Sequence, residues 1–242
     1  FYGKVNEDEY GQAFIHDLEK ANIAYKGVIK QNDLPTGCCN ILVSPDGERT
    51  MATHIGIGSQ LHPDELTEDS LQGIDHIYME SYLWDHDLTK QTLKKVGKIA
   101  KTMNIETSLS LSDPFCVDRH RDELKEFIEE YVDLVFCNFD EAKMFAQSET
   151  MADVSSFFQS FGKKIAMTAS AEGAYYFHGE TVAHQPAQKI EQVVDTTGAG
   201  DNFAAGFLDQ YLSDKTIDEA LAQGNSRAGE VIQQLGPRIK RH

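Results

Sequence analysis

From residue 74 onward, the apolar positions alternate between two patterns. Short runs occupy 74–79, 105–111, 134–137, 164–168 and 174–177, and each reads as a strand, 134–137 as a buried one. Between them lie longer stretches whose apolar residues recur every three or four positions. Residues 87–103 carry Leu93, Val96, Ala100 and Met103 on one side, and residues 118–131 turn Leu124, Phe127, Ile128 and Tyr131 inward. Residues 152–161, 201–212 and 217–235 repeat the helical spacing, and Gly236 followed by Pro237 reads as the stop of the last helix. Strands alternating with helices of this length predict an α/β fold, a central mostly parallel sheet covered by helices on both faces. In such a sheet, ligands bind outside the C-terminal strand ends.

The first 57 residues follow a different rule. Residues 1–11 read as a strand running into a capped helix that continues through Phe14, Ile15 and Leu18. Alternating segments follow at 23–29 and 38–43, and Pro45, Asp46 and Gly47 predict a hairpin turn before the chain runs back over 49–57. These strands stand apart from the βα alternation and predict a small β-lid within about residues 23–57.

Composition narrows the choices. A chain of 242 residues holds one large domain over 1–242. Its 40% hydrophobic content contains no long apolar run, so no membrane span is predicted. A formal charge of −17 argues against nucleic acid and anionic membranes as partners, since both call for a basic footprint. Cys38, Cys39, Cys116 and Cys137 show neither a C-x-x-C pair nor zinc spacing, and read as reduced thiols of a cytoplasmic protein. The chain opens in mid-pattern at Phe1 and reads as lacking its natural beginning. A monomer and a homodimer both fit.

The stretch richest in chemistry is Asp195-Thr196-Thr197-Gly198-Ala199-Gly200-Asp201. Two glycines before a helix allow a ligand to approach the backbone, and the first helical turn presents unpaired N–H groups and the positive end of the macrodipole. A carboxylate there repels an anion, which makes sense if Asp201 accepts a proton from a hydroxyl attacking a phosphoryl group. The plainer reading is an ordinary acidic first turn. Similarly, Asn138 and Glu141 lie one helical turn apart, where they could order Mg²⁺ or simply cap a helix. Phe115, after a strand and a proline, reads on its own as core; Arg49 reads as a solvated strand residue, and Asn225 as a surface residue of a helix.

The whole string 195–208 resembles the C-terminal signature of the ribokinase-like (PfkB) family of carbohydrate and nucleoside kinases. Five further segments match in order. Residues 3–11 resemble the family's "GkvGdDefG" segment, with Asn6 where a Gly is usual, although the strands and Gly-Gly motif that precede it in the family are absent. Residues 35–39 with 47–51, and residues 112–116, resemble adenosine kinases within the family; 138–141 resembles N-x-x-E, and 168–173 the nucleotide loop "T-x-G-x-x-G", with Ser170 in place of the first Gly.

The resemblance implies a ribokinase-like fold and an ATP-dependent kinase. Asp201 would be the general base, with Gly198, Ala199 and Gly200 as the anion hole and Arg49 over the γ-phosphoryl group. ATP would be held near Asn138, Thr168, Gly173, Gly200 and Asn225, and Mg²⁺ through water by Glu141 and Asn138. Asp195 and Thr197 would bind a monovalent cation such as K⁺. Cys39, Met51 and Phe115, with Asp201, would contact the substrate, Phe115 by stacking on a purine; this favours an adenosine-like nucleoside over a simple sugar such as ribose or fructose. A nucleotide-binding protein that no longer catalyses is the reading from another class.

Overall fold

The computed structural model describes residues 1–29, 33–44 and 49–239. The chain divides into two compact units, one made of residues 1–42, 50–77 and 83–106, the other of 43–49, 78–82 and 107–242.

In the first unit, β1 (Lys4–Val5) leads into α1 (Glu9–Lys20), and β2 (Val28–Ile29) pairs with β1 in parallel. Asp8 caps α1 by accepting from the Gly11 N–H at 2.8 Å, while its other oxygen accepts from the Thr36 N–H at 2.7 Å. The extended strand expected over 23–29 is therefore only its last two residues, and they join β1 rather than the lid. Tyr25 is occupied otherwise: its ring stacks 6.3 Å from that of Phe1, and its hydroxyl donates to the Gly3 carbonyl. The buried Lys4 ammonium reaches both Glu65 oxygens (2.6 and 2.9 Å) and the Gln60 carbonyl at 2.8 Å. Three donors on one ammonium meet three acceptors, so the ion is satisfied where it lies.

β3 (Cys38–Val43) and β4 (Arg49–His54) form a two-stranded sheet of their own, as the lid pattern predicts. The turn expected at Pro45, Asp46 and Gly47 lies outside the described residues. β4 ends at His54 rather than 57, because Gly56 (φ 58°) turns into a short 3₁₀ segment and the Ile57 N–H donates to the Pro35 carbonyl. Two further 3₁₀ turns precede β5 (His76–Glu80). α2 (Asp87–Met103) matches its predicted span and buries Leu93, Val96, Ile99 and Ala100, with Met103 half-buried.

The remaining elements are β6 (Glu106–Ser110), α3 (Pro114–Tyr131), β7 (Leu134–Asn138), α4 (Phe139–Ala146), α5 (Met151–Phe161), β8 (Lys164–Thr168), β9 (Ala174–His178), β10 (Thr181–Gln185), α6 (Ala199–Tyr211) and α7 (Ile217–Val231). One sheet runs in the order β10-β9-β8-β7-β6-β5. β6, β7 and β8 are parallel, while β9 and β10 turn back as an antiparallel ribbon.

Strand alternation places helices on both faces of this sheet. Phe136, Ala166 and Tyr176 are paired neighbours on one face and pack with Phe203 and Phe207 of α6 and Leu221 of α7. On the other face, Phe177 meets Phe158 of α5 at 5.7 Å between rings. Burying side chains of this size contributes roughly 1.5–3 kcal/mol apiece before chain entropy is counted.

α7 corrects the expected helix over 217–235. It ends at Val231, and Gly236 does not close a helix but takes φ 95° and donates its N–H to Asp195 Oδ2 at 2.9 Å. Residues beyond 231 leave the helical path because the Ile232 carbonyl accepts from the Val194 N–H at 2.8 Å, drawing the chain end back toward the start of α6.

Candidate active site

The parallel strands end on polar residues: Ser110 on β6, Asn138 on β7 and Thr168 on β8, with Glu80 ending β5. Asn138 and Thr168 are direct partners across their ladder, so the N-x-x-E motif and the nucleotide loop leave the sheet side by side.

At the end of β7, Asn138 and Glu141 form a reciprocal cap on α4. The Asn138 Oδ1 accepts from the Glu141 N–H (2.9 Å), and the Glu141 carboxylate accepts from the Asn138 backbone N–H (3.0 Å) and side-chain amide (2.7 Å). Glu141 is only 5% exposed, and burial pushes its carboxyl up to about 7; the Asn138 N–H pulls it down, while Asp113 and Asp140 add to the rise.

At the end of β8, the loop closes through the Ala169 N–H to the Gly173 carbonyl (2.7 Å) and the Gly173 N–H to the Ser170 carbonyl (3.1 Å). Ser170 adopts the left-handed φ of 49° that a glycine would take without strain. Gly173 has no alternative, because at φ 101° a Cβ would stand 2.1 Å from the Gln185 carbonyl oxygen. Asn225 is not a free surface residue: it is 9% exposed and its amide donates to the carbonyls of Gln185 (2.9 Å) and Pro186 (3.3 Å), tying α7 to the segment beneath that loop.

Gly198 (φ 76°) caps the start of α6, and Asp201 lies exposed in its first turn. The Ala199 N–H donates to the Thr196 carbonyl at 3.2 Å, and a Cβ at Gly200 would meet nothing within 4 Å, so the space there is open. Asp195, 2% exposed, accepts on Oδ1 from the Thr197 N–H (2.8 Å) and hydroxyl (2.6 Å).

Electrostatics link these pieces. Partial desolvation, with the Asp201 charge nearby, raises the Glu80 carboxyl. The Tyr82 phenol is pushed up to about 12 by burial, then by Asp113, Glu141, Glu80 and Asp201. Tyr78 is raised still further, by burial and then by Glu80, Asp201 and Glu141. Two tyrosines thus mark a region to which carboxylates from four elements contribute. The sequence reading missed Glu80, Tyr78 and Tyr82; ending the strand at residue 79 left out the polar residue at its C-terminal end, where ligand contacts concentrate.

Phe115 corrects its core reading. It sits at the start of α3, whose cap is Asp113, and is 71% exposed. The loop before it is wired by the Tyr82 hydroxyl donating to the Ser112 carbonyl (3.0 Å) and the Ser81 N–H donating to the Ser112 hydroxyl (3.1 Å), with Ser112 at φ 65°.

In the first unit, Cys39 on β3 is exposed with its sulfur 3.1 Å from the Thr53 hydroxyl, and Met51 on β4 is 48% exposed. Cys38 is exposed as well, whereas Cys116 and Cys137 in the other unit are buried. Arg49 opens β4. Among the described residues, no group of three or more His, Cys, Asp or Glu side chains is placed to hold a metal ion, and no helix is long and apolar enough to cross a membrane.

Comparison with known proteins gives the family and the fold. The crystal structure of adenosine kinase from Sinorhizobium meliloti is 37% identical, with a TM-score of 0.92 covering 98% of this chain and 72% of that one. A probable sugar kinase from Rhizobium etli is 36% identical, with a TM-score of 0.93 covering 97% and 72%. Adenosine kinase 2 of Arabidopsis thaliana is 27% identical over 260 residues, 98% of this chain and 72% of its own length. The family model for pfkB family carbohydrate kinases matches residues 1–241, and the chain belongs to that family as an ATP-dependent kinase with the ribokinase-like fold.

Proposed function

We propose that this kinase transfers the γ-phosphoryl group of ATP to the 5′-hydroxyl of an adenosine-like nucleoside. Asp201 takes the proton from the attacking hydroxyl, and the N–H groups at the mouth of α6 receive the charge that develops on the phosphoryl oxygens. Because the Ala199 N–H already reaches Thr196, Gly198 and Gly200 are the best-placed donors, and Ala199 joins them if it releases that bond. Arg49 adds a fixed guanidinium over the transferring group. Thr168, Gly173, Asn225 and Asn138 hold the nucleotide.

Mg²⁺ fits the residues present, with one restriction. Glu141 is a carboxylate raised by burial and then by Asp113 and Asp140, whose repulsion a cation would relieve, but its oxygens and Asn138 already serve the α4 cap. Contact through water keeps those bonds. When bound, Mg²⁺ offsets phosphate charge. A monovalent cation such as K⁺ is proposed beside the buried Asp195 carboxylate and the Thr197 hydroxyl. A cytoplasmic location is part of the same proposal.

The observation that carries the nucleoside reading is Phe115: a phenyl ring left 71% exposed at a strand-end loop suits a flat base. Cys39 and Met51 are kept as substrate contacts by resemblance. The second reading, a simple sugar, is favoured by the Rhizobium etli relative, as similar as the adenosine kinase.

The test is ADP release with Mg²⁺-ATP and adenosine, inosine, ribose or fructose. Asp201→Asn should lower kcat by about 10³-fold while ATP still binds. Turnover with a sugar alone would keep Asp201 and overturn the role of Phe115. Unimpaired turnover in Asp201→Asn would falsify the base.

A further inference from the structure

The turn before α6 sits inside a closed ring of bonds made with Gly236 and Pro237. Asp195 holds Thr197 through Oδ1 and the Gly236 N–H through Oδ2 at 2.9 Å. The ring continues through Pro237, which lies so close to Gly198 that a Cβ built there would stand 2.7 Å from the proline Cβ. Asn202 completes it. Its side-chain amide donates to the Gly198 carbonyl at 2.8 Å and to the Pro237 carbonyl at 2.9 Å, while its backbone N–H also donates to Gly198 at 2.9 Å. One amide group therefore fastens the first turn of the helix both to the glycine that caps it and to the chain end. Asn202 is half-buried, and neither bond serves the hydrophobic core, which α6 meets through Phe203, Ala204 and Phe207.

We propose that Asn202 is a positioning residue for phosphoryl transfer. By clamping the Gly198 carbonyl to Pro237, it fixes the orientation in which residues 198–200 present their N–H groups to the phosphoryl oxygens. An anion hole works by being set before the charge appears, so a turn free to rock gives up rate rather than affinity. An aspartate in this position would have the same shape but no donors, and would set a negative charge against two carbonyl oxygens. The inference rests on the reading of α6 as the phosphoryl-facing helix.

The experiment compares Asn202→Ala and Asn202→Asp with the wild type in steady-state kinetics. Amide hydrogen exchange over residues 198–201 is followed by mass spectrometry in the same proteins. Gln233→Ala is the control: its side chain makes a bond of the same kind, to the Gly229 carbonyl at 2.8 Å, away from the turn. Asn202→Ala should lose about tenfold in kcat and Asn202→Asp about a hundredfold, the order expected when an oxyanion site is disturbed. KM for acceptor and nucleotide should stay within about twofold, exchange over the turn should quicken, and Gln233→Ala should match the wild type. Unchanged exchange in both Asn202 variants overturns the clamp. A rise in KM that tracks the fall in kcat overturns it too, since the amide would then be serving ground-state binding rather than the orientation of the anion hole. Faster exchange with undiminished kcat would instead overturn the anion-hole reading beneath it.

Discussion

At residue scale, Phe115 sets packing against the recognition proposed for it. A phenylalanine behind a proline reads as core from composition alone, yet here it stands at 71% exposure in the first turn of α3, just after a loop stiffened by Tyr82 and Ser112. Removing it should cost the fold almost nothing and the substrate a good deal. Phe115→Ala should raise KM for adenosine by about fivefold to 150-fold, as the loss of about 1–3 kcal/mol of stacking dictates, and leave Tm and KM for ATP unchanged. A drop in Tm with unaltered KM would return the residue to a structural role. The place of Asp201 in the first turn of α6 was readable because two glycines and a helical apolar spacing bracket it. Glu80, Tyr82 and Asn202 were not, since each acquires its meaning from a partner 30 or more positions away or on another element.

At the scale of elements, α4 makes the sharpest electrostatic statement. Its capping glutamate has a carboxyl raised from 4.5 to about 7, so the folded protein holds that proton more tightly than the unfolded chain. Stability from this group is fully present below the unfolded value and is lost as pH rises through about 7, a cost of roughly 3 kcal/mol at most. Wild-type Tm should therefore fall between pH 5 and pH 8 more steeply than that of Glu141→Gln. The amide forfeits a cap bond at every pH, so the slope is read rather than the level; parallel slopes would refute the raised carboxyl. Among the elements, α2 and β8 were legible to the residue because their apolar spacing is unbroken. The 3₁₀ turns between residues 56 and 71 were not, because their three-residue pitch leaves no 3.6 or 2.0 period to follow. β10 escaped for a different reason: as the sheet's outer strand it is mostly exposed, and its sequence Thr-Val-Ala-His-Gln has little apolar alternation to show. The end of α7 was misplaced because Gly236 and Pro237 have the chemistry of a helix stop but serve Asp195 and Asn202 instead.

At the scale of the molecule, charge governs how substrate arrives. A formal charge of −17 repels nucleotide at long range, whatever the local N–H groups and Mg²⁺ do at contact. kcat/KM for Mg²⁺-ATP should accordingly rise as salt goes from low to physiological ionic strength, where screening sets in within about 10 Å. A fall would mean that local positive groups dominate the approach. The four thiols are also unevenly distributed. Cys38 and Cys39 are open to solvent on β3, while Cys116 and Cys137 are sealed in the other unit, the latter further quieted by a thiol raised well above its usual range. A maleimide dye added to the native protein would thus label that one strand and nothing else, giving the wild-type sequence a built-in optical reporter for its small two-stranded sheet.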